Sequence, residues 1–130
     1  MKLFIPLYCL KNNMKKLFEI ELLEDAMVFL RNLESKHSKK ILFNIGKAQL
    51  ENNPELFKKL YDDIWEFRTL YQGLQYRFLA FWDKTSTTKT LVIATHGFVK
   101  KRSDVPKREI EKAINSRIKY FEDKHKNKRK

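Results

Sequence analysis

The chain has 130 residues and a formal net charge of +12, which suits one domain able to bury a substantial core without covalent staples. Its single cysteine, Cys9, excludes an intramolecular disulfide, and the absence of a Cys/His cluster argues against structural zinc, so a reducing cytoplasm is expected. No segment approaches the roughly 20 apolar residues that a transmembrane helix needs, so no membrane association is expected.

The N-terminal apolar stretch, residues 2–10, has only a superficial likeness to a signal sequence. Pro6 interrupts it, and no small-residue cleavage site follows, so secretion is not expected. A second methionine, Met14, opens an alternating segment that predicts an edge strand over residues 14–21. We therefore interpret residues 1–13 as either an upstream extension or a loosely attached tail, and residues 14–123 as the domain.

Two helices are predicted to follow this strand. Residues 22–35 carry apolar side chains at three- and four-residue steps, which is typical of an amphipathic helix. Ser38 is expected to cap a second helix from Lys39 to about Asn52, after a turn at residues 36–39. The pair would form a helical hairpin on one sheet face, with a single kinked helix as the alternative.

A short third helix is predicted to begin at Pro54 and to end at Leu60. Lys58 and Lys59 would lie on its outer side. Contact with an RNA backbone and simple solvation explain these two lysines equally well.

Residues 61–101 predict the centre of the fold, three adjacent antiparallel strands at residues 62–70, 74–83 and 89–96. With Gln72 and Gly73 as a two-residue hairpin loop, Arg68 pairs directly with Arg77. Side chains alternate along a strand, so both arginines share a face with Glu66. The opposite face is expected to form the core, with these residues: Trp65, Phe67, Tyr76, Phe78, Ala80 and Trp82.

The pairing of Arg68 with Arg77 indicates a possible anion site. Like charges directly opposite each other destabilise a sheet, so stability alone would not select this pair. Two rigidly held guanidinium groups suit bidentate phosphate binding. The alternatives are screening by Glu66 and solvent, or a loop that differs by one residue and places the arginines on opposite faces.

More cations follow the third strand, in the segment from His96 to Arg102. Gly97 permits a bend that would bring Lys100, Lys101 and Arg102 beside the arginine face. His96 is interpreted either as a core or capping histidine or as an acid–base group.

The C-terminal part of the chain predicts a basic helix and tail. Residues 103–106, SDVP, are a helix-start signal, and apolar residues recur at helical spacing as far as Phe121. After Asp123 the periodicity fades, so residues 124–130 are predicted to be a frayed basic tail. From residue 100 onward there are 13 basic and 5 acidic residues, net +8, which favours nucleic acid as partner over a membrane surface.

Four segments together resemble one known family. WEFR, QYRFLAFWD, ATHGFVKK and VPKREIEKAI occur in the order and spacing of the HigB-like branch of the RelE/ParE toxin superfamily, over residues 14–122. The resemblance implies a small α+β fold, in which an N-terminal strand and a helical hairpin pack on a twisted antiparallel sheet of about four strands, followed by a C-terminal helix. It also implies a toxin of a type II toxin–antitoxin system, usually a ribosome-dependent endoribonuclease that cuts messenger RNA, whose partner is a helix-turn-helix antitoxin in a hetero-oligomer.

The resemblance also implies roles for individual residues. Cleavage of RNA without a metal requires deprotonation of the attacking 2′-hydroxyl, stabilisation of charge on the phosphate, and protonation of the leaving 5′-oxygen. Arg68 and Arg77 would bind the phosphates, Lys100 or Lys101 would stabilise the developing charge, and His96 would act as acid or base. No cofactor is expected. Further contacts with RNA are expected from Lys58, Lys59, Tyr76, Phe98, Lys101 and Arg102.

Three other functions remain open at this point. A gyrase-poisoning toxin of the same superfamily would use the same fold with a different surface. A non-catalytic basic module that binds RNA or the ribosome would need only the charge. A metal-dependent nuclease is disfavoured because no larger acidic cluster joins Asp62, Asp63 and Glu66.

Overall fold

The computed structural model describes residues 15–87 and 90–128, and it has the predicted α+β architecture. Met14 and the predicted extension at residues 1–13 lie outside the described residues. The elements are β1 (Glu19–Leu22), α1 (Glu24–Arg31), α2 (Ser35–Ala48), β2 (Phe57–Tyr61), β3 (Ile64–Tyr71), β4 (Leu74–Asp83), β5 (Leu91–Lys100) and α3 (Lys107–Lys128). The five strands form one sheet in the order β1-β5-β4-β3-β2, in which only the edge strand β1 runs parallel to its neighbour.

The central β3–β4 hairpin confirms the predicted register. Gln72 and Gly73 form its two-residue loop with φ angles of 48° and 78°, the positive values that a type I′ turn requires. Arg68 consequently lies directly opposite Arg77, and both side chains project from the same face of the sheet.

Both faces of the sheet carry a hydrophobic core, whereas the sequence predicted one. The larger core lies under α1 and α2, and it includes the predicted residues Phe67, Tyr76, Phe78 and Ala80. A smaller core lies on the arginine-bearing face beneath α3, and its buried members are Ile64, Leu79, Phe81, Ile93 and Ala113. The helix α3 therefore covers one end of that face, and the arginines lie towards the other end.

Two predicted helices differ from the structure. The second helix begins at Ser35, and Ser38 is inside its first turn, where its hydroxyl donates a hydrogen bond to the carbonyl oxygen of Leu30 at 2.6 Å. The helix predicted to begin at Pro54 is instead the strand β2, because residues 57–61 pair with β3 and complete the sheet edge. Pairing with a neighbouring strand overrides the local helical signal.

The strand β5 also differs from its prediction, because it continues through His96 and Gly97 to Lys100. Gly97 does not bend the chain; a Cβ atom at this position would lie 2.6 Å from the ring of Phe78 and 2.7 Å from that of Phe29. Gly97 is required for the close packing of α1 on β5. At the C-terminus, α3 likewise continues past the predicted end at Asp123 to Lys128.

Candidate nucleic-acid interface

The candidate site is built from neighbouring positions on the outer face of β3, β4 and β5. Arg68 lies opposite Arg77, and Arg77 lies opposite Phe98 on the next strand. Lys100 projects from the same face, two residues beyond Phe98. We call these four residues, Arg68, Arg77, Phe98 and Lys100, the arginine surface.

Arg77 is the buried cation of this surface, with only 3% of the residue exposed. Its Nε atom lies 3.0 Å from a carboxylate oxygen of Glu66, which is itself buried; the two atoms form an ion pair but are not aligned for a hydrogen bond. Its two terminal nitrogens donate hydrogen bonds to the backbone oxygen of Tyr76 and to the side-chain oxygen of Gln75, at 3.0 and 3.1 Å. Burial and the neighbouring Arg68 lower the pKa of Arg77, while Glu66 acts in the opposite direction. Arg77 is therefore fixed in place with its charge offset. The sequence left screening by Glu66 open as an alternative to a free cation, and for Arg77 the structure has this arrangement.

Arg68 is half-buried and has no such counter-ion. Its Nε atom is buried and has no hydrogen-bond partner, and no carboxylate in residues 15–87 and 90–128 lies within 4 Å of its guanidinium group. A buried donor without a partner costs free energy, about 1–3 kcal/mol for a neutral group and more for a charged one. Arg68 is consequently the position on this surface where an anion would be most stabilising.

Lys100 completes the cationic part of the arginine surface. Lys100 is half-buried, and its ammonium pairs with no carboxylate of the described chain. Burial, followed by the charge of Arg77, lowers the pKa of Lys100, and Glu66 opposes them; Arg68 lowers this pKa and Asp104 raises it by smaller amounts. A lysine in this environment releases its proton more readily than one in water.

His96 does not reach the arginine surface as an accessible acid or base. It is 2% exposed beneath the first turn of α3, where its Nε2 lies 3.0 Å from Glu109 and its Nδ1 lies 2.9 Å from the hydroxyl of Thr95. Burial and the charge of Lys112 lower the pKa of His96, and Glu109 opposes them. With both ring nitrogens occupied, His96 connects β5 to α3, as a core or capping histidine would. A role of His96 as acid or base stays a prediction.

Two of the predicted RNA contacts lie on the other side of the sheet. Tyr76 is 2% exposed in the larger core, and its hydroxyl forms a 2.8 Å hydrogen bond with Nδ1 of His37. Burial, followed by the charge of Glu34, raises the pKa of Tyr76. Lys59 pairs with Trp65 and projects from that same opposite face. Neither residue adjoins the arginine surface.

The other predicted RNA contacts are compatible with the arginine surface. Lys58 pairs with Glu66, so it shares the face of the arginines, and it is exposed. The ring of Phe98 is half-buried and stacks on the imidazole of His96, with ring centroids 5.8 Å apart. Lys101 and Arg102 are exposed where the chain leaves β5.

Sequence reasoning missed two supporting residues of this site. Glu66 was recognised as sharing the arginine face, but its burial as the counter-ion of Arg77 was not expected. Gln75, which holds a terminal nitrogen of Arg77, was not considered. The signal was available, since Gln75 and Arg77 are two positions apart on one strand and therefore share a face.

Two further structural findings bear on function. Among the described residues, no group of three or more His, Cys, Asp or Glu side chains is arranged to hold a metal ion. In the same parts of the chain, no helix is both long enough and apolar enough to cross a bilayer.

Comparison with known protein families assigns the chain to one family. The family model described as phage-derived protein Gp49-like (DUF891) matches residues 28–118, which include the whole of β2 to β5 and every member of the arginine surface. No curated protein matches the chain significantly. The Gp49-like family is related to the RelE/HigB toxins, the group that the sequence segments resemble. Because the match covers more than half of the chain, this protein belongs to the Gp49-like family of phage-derived proteins.

Proposed function

We propose that this protein is the toxin of a type II toxin–antitoxin pair and that it cleaves messenger RNA on the ribosome. Membership of a family related to the RelE/HigB toxins supports the toxin class. The observation that carries the nuclease proposal is Arg68, whose buried Nε has no hydrogen-bond partner and which lies directly opposite Arg77. A phosphate at this position would supply the missing acceptor.

The charge balance of the arginine surface favours the same ligand. Glu66 offsets one of its three cations, Arg77, so Arg68 and Lys100 remain uncompensated by an adjacent carboxylate. An RNA backbone provides closely spaced phosphates, and binding them would release counterions into solution. A bound RNA strand would therefore complete the charge balance that the protein leaves open.

The chemistry follows from this arrangement. The 2′-hydroxyl attacks the adjacent phosphorus, the bond from phosphorus to the 5′-oxygen breaks, and a 2′,3′-cyclic phosphate and a 5′-hydroxyl are formed. Arg68 stabilises the negative charge that grows on the phosphate oxygens. Lys100, whose pKa is lowered by burial and by Arg77, donates a proton to the leaving 5′-oxygen. Glu66 acts indirectly by holding Arg77 in position.

Removal of the 2′-hydroxyl proton requires a base, and the arginine surface offers no free one. The imidazole of His96 is enclosed under α3, and Glu66 is buried against Arg77. We propose that the ribosome, or the geometry it imposes on the messenger, supplies this function. The purified protein should then cleave messenger RNA bound to ribosomes and leave free RNA nearly intact; rapid cleavage of free RNA would contradict this proposal.

Mapping of RNA 5′ ends after brief induction of the protein in cells tests the activity directly. The wild-type protein should create new ends inside translated codons, and Arg68→Ala should reduce them at least 100-fold, because it removes the principal phosphate ligand. The matched control is Arg31→Ala, since Arg31 is exposed on α1 and pairs with Glu24 at 3.4 Å. The control should cleave like the wild type. An absence of new ends with the wild-type protein would overturn the nuclease and favour a module that only binds.

Growth arrest distinguishes the nuclease from a gyrase poison. If RNA cleavage causes the arrest, Arg68→Ala should abolish toxicity at equal protein level. Unchanged toxicity would favour gyrase as the target. Co-expression with a small helix-turn-helix protein encoded beside this chain should restore growth and yield a hetero-oligomer, as the proposed antitoxin pairing requires.

A further inference from the structure

A second row of side chains, which includes Lys100 of the arginine surface, lies towards the β3–β4 turn. Leu70 pairs with Gln75, and Gln75 pairs with Lys100, so the three form a line across the sheet next to the line of Arg68, Arg77 and Phe98. The offset is two residues along each strand, about 7 Å at the usual rise of a strand. A group bound along this row would therefore adjoin a phosphate bound at Arg68.

Leu70 is the most exposed large apolar side chain among the described residues, with 68% of its surface open to solvent. It projects from the arginine-bearing face, next to a cluster of cations that would attract an anionic chain. The flat faces of unstacked nucleobases are covered by protein side chains when RNA binds, and an exposed apolar side chain can contact such a face. The position of Leu70 suits contact with the base of a nucleotide whose phosphate is held by Arg68.

The contact with Arg77 determines how the side-chain amide of Gln75 is oriented. The guanidinium group carries only donors, so the Gln75 atom that lies 3.1 Å from it must be the oxygen. The amide nitrogen, with two N–H donors, therefore faces away from Arg77 on an exposed residue, and it has no partner in the part of the chain that the structure describes. Gln75 is thus presented as a donor and not as an acceptor.

We infer that Leu70 and Gln75 form a base-reading subsite for the nucleotide bound beside Arg68 and Lys100, an inference that rests on the proposed function. Leu70 contacts the face of the base, and the amide N–H groups of Gln75 donate to its edge. Guanine and uracil present a keto oxygen there as an acceptor, whereas adenine and cytosine place an amino donor beside their ring-nitrogen acceptor. The Gln75 oxygen that would accept from this amino group is already held by Arg77. The subsite therefore selects keto bases over amino bases at one position flanking the cut.

Sequencing of the 5′ ends produced on ribosome-bound messenger RNA tests this subsite. The wild-type protein should enrich keto bases at one flanking position. Gln75→Met has a similar size and no N–H donor, and it should bring the ratio of keto to amino bases back to that of the input RNA. Leu70→Ala should reduce cleavage at all sites about tenfold, because it removes the apolar surface that contacts the base.

Leu74→Ala is the matched control for Leu70→Ala. Leu74 is also an exposed leucine beside the turn, but it pairs with Tyr71 and projects from the opposite face. It should cleave like the wild type, and thermal melting should give similar midpoints for both leucine variants. Equal losses of cleavage in the two would overturn the role of Leu70, because both would then act through the stability of the hairpin.

The remaining outcomes separate the two proposals. Cleavage by the wild-type protein without a keto preference, or with a preference that Gln75→Met leaves unchanged, overturns the base-reading subsite and leaves the nuclease intact. An absence of cleavage by the wild-type protein on ribosomes overturns the nuclease, and the subsite with it.

Discussion

Glu66 and Arg77 form an ion pair whose side chains are each 4% exposed, and this pair decides what the paired arginines can do. Two facing arginines destabilise the sheet less when part of their charge is offset, and Glu66 offsets the charge of the more buried one. The accessible cation is therefore Arg68. The site therefore consists of one accessible cation, Arg68, beside the buried Glu66–Arg77 ion pair.

The Glu66–Arg77 pair gives the first prediction. Arg77→Ala should lower the free energy of unfolding by about 3–5 kcal/mol, because it leaves the Glu66 carboxylate buried without a counter-ion. The double variant Glu66→Leu/Arg77→Met should recover much of this loss. Urea denaturation measures both. Arg31→Ala, which breaks a solvent-exposed pair, should cost at most about 1 kcal/mol, and a similar cost for Arg77→Ala would show that the Glu66–Arg77 pair is not buried in solution.

His96 gives the second prediction. In His96→Gln a side-chain amide can still donate to Glu109, so the variant should retain cleavage of ribosome-bound RNA within about threefold once the rate is corrected for folded protein. An acid–base role would instead cost about 100- to 10,000-fold. Single-turnover cleavage, together with the thermal midpoint of the same sample, separates these results. A loss of cleavage rate above 100-fold in fully folded His96→Gln would show that His96 acts as acid or base.

At the scale of elements, the β3–β4 hairpin was predictable from the sequence. The strand at residues 57–61 and the burial of His96 on β5 were not. Gln72-Gly73 specifies a two-residue turn, and the turn determines the register that pairs Arg68 with Arg77. Residues 57–61, by contrast, carry a short pattern that suits a helix or a strand, and only the free edge of β3 decides between them. Burial of His96 was equally hidden, because it depends on where α3 packs, and a helical stripe does not specify its partner.

The packing of α1 on β5 gives the third prediction. Gly97→Ala should lower the free energy of unfolding by about 1–3 kcal/mol, because the new methyl group would overlap the rings of Phe78 and Phe29. Gly73→Ala is an informative comparison, since nothing lies within 4 Å of the position that its methyl group would occupy, and its cost would come only from the φ of 78°. Urea denaturation measures the two losses. A neutral Gly97→Ala would contradict the close approach of α1 to β5.

Asp83, a fully buried carboxylate at the end of β4, helps to attach α3 to the sheet. It accepts hydrogen bonds from Tyr120 at 2.7 Å and from Lys124 at 2.5 Å, both on α3, and from Thr85 in the loop after β4. Burial alone would raise the pKa of Asp83, but the bonds from Lys124, Thr85 and Tyr120 outweigh it and hold the pKa far below its usual range. The bond to Lys124 shows why the helix persists beyond the end predicted from its apolar pattern.

Asp83 gives the fourth prediction, which concerns pH. Its pKa is lower in the folded state than in the unfolded state, where it is about 3.9, so its contribution to stability is present above that value and is lost as the pH falls below it. Asp83→Asn should therefore be less stable than the wild type at pH 7 and should lose less stability between pH 5 and pH 3. Urea denaturation across this range measures the difference. Asp62→Asn is the control, because Asp62 lies at an exposed turn, and its stability should depend on pH as that of the wild type does. If Asp83→Asn lost as much stability between pH 5 and pH 3 as the wild type, the role of Asp83 in the pH dependence would be contradicted.

For the whole molecule, the arrangement of layers explains why one sheet face can hold both a core and a binding surface. The helices α1 and α2 cover the opposite face, while α3 covers only the end of the arginine face around Ile64 and Phe81. The excess of positive charge predicted an anionic partner, and the hairpin register predicted the position of Arg68 and Arg77. The sequence could not reveal that a partner for Arg77 is present within the fold, because ion pairing depends on side-chain burial.

The last prediction concerns the long-range charge of the whole molecule. Binding of a single-stranded RNA should weaken as salt rises, and the logarithm of the binding constant should fall linearly with the logarithm of salt concentration. Arg68→Ala should make this slope shallower by about 0.7, the value for one phosphate contact on a single strand. Fluorescence anisotropy between about 50 and 200 mM salt measures it. Lys47→Ala removes the same charge on α2, where Lys47 pairs with Glu51, and should leave the slope unchanged. If both variants changed the slope equally, RNA would respond to net charge alone and not to a phosphate seated at Arg68.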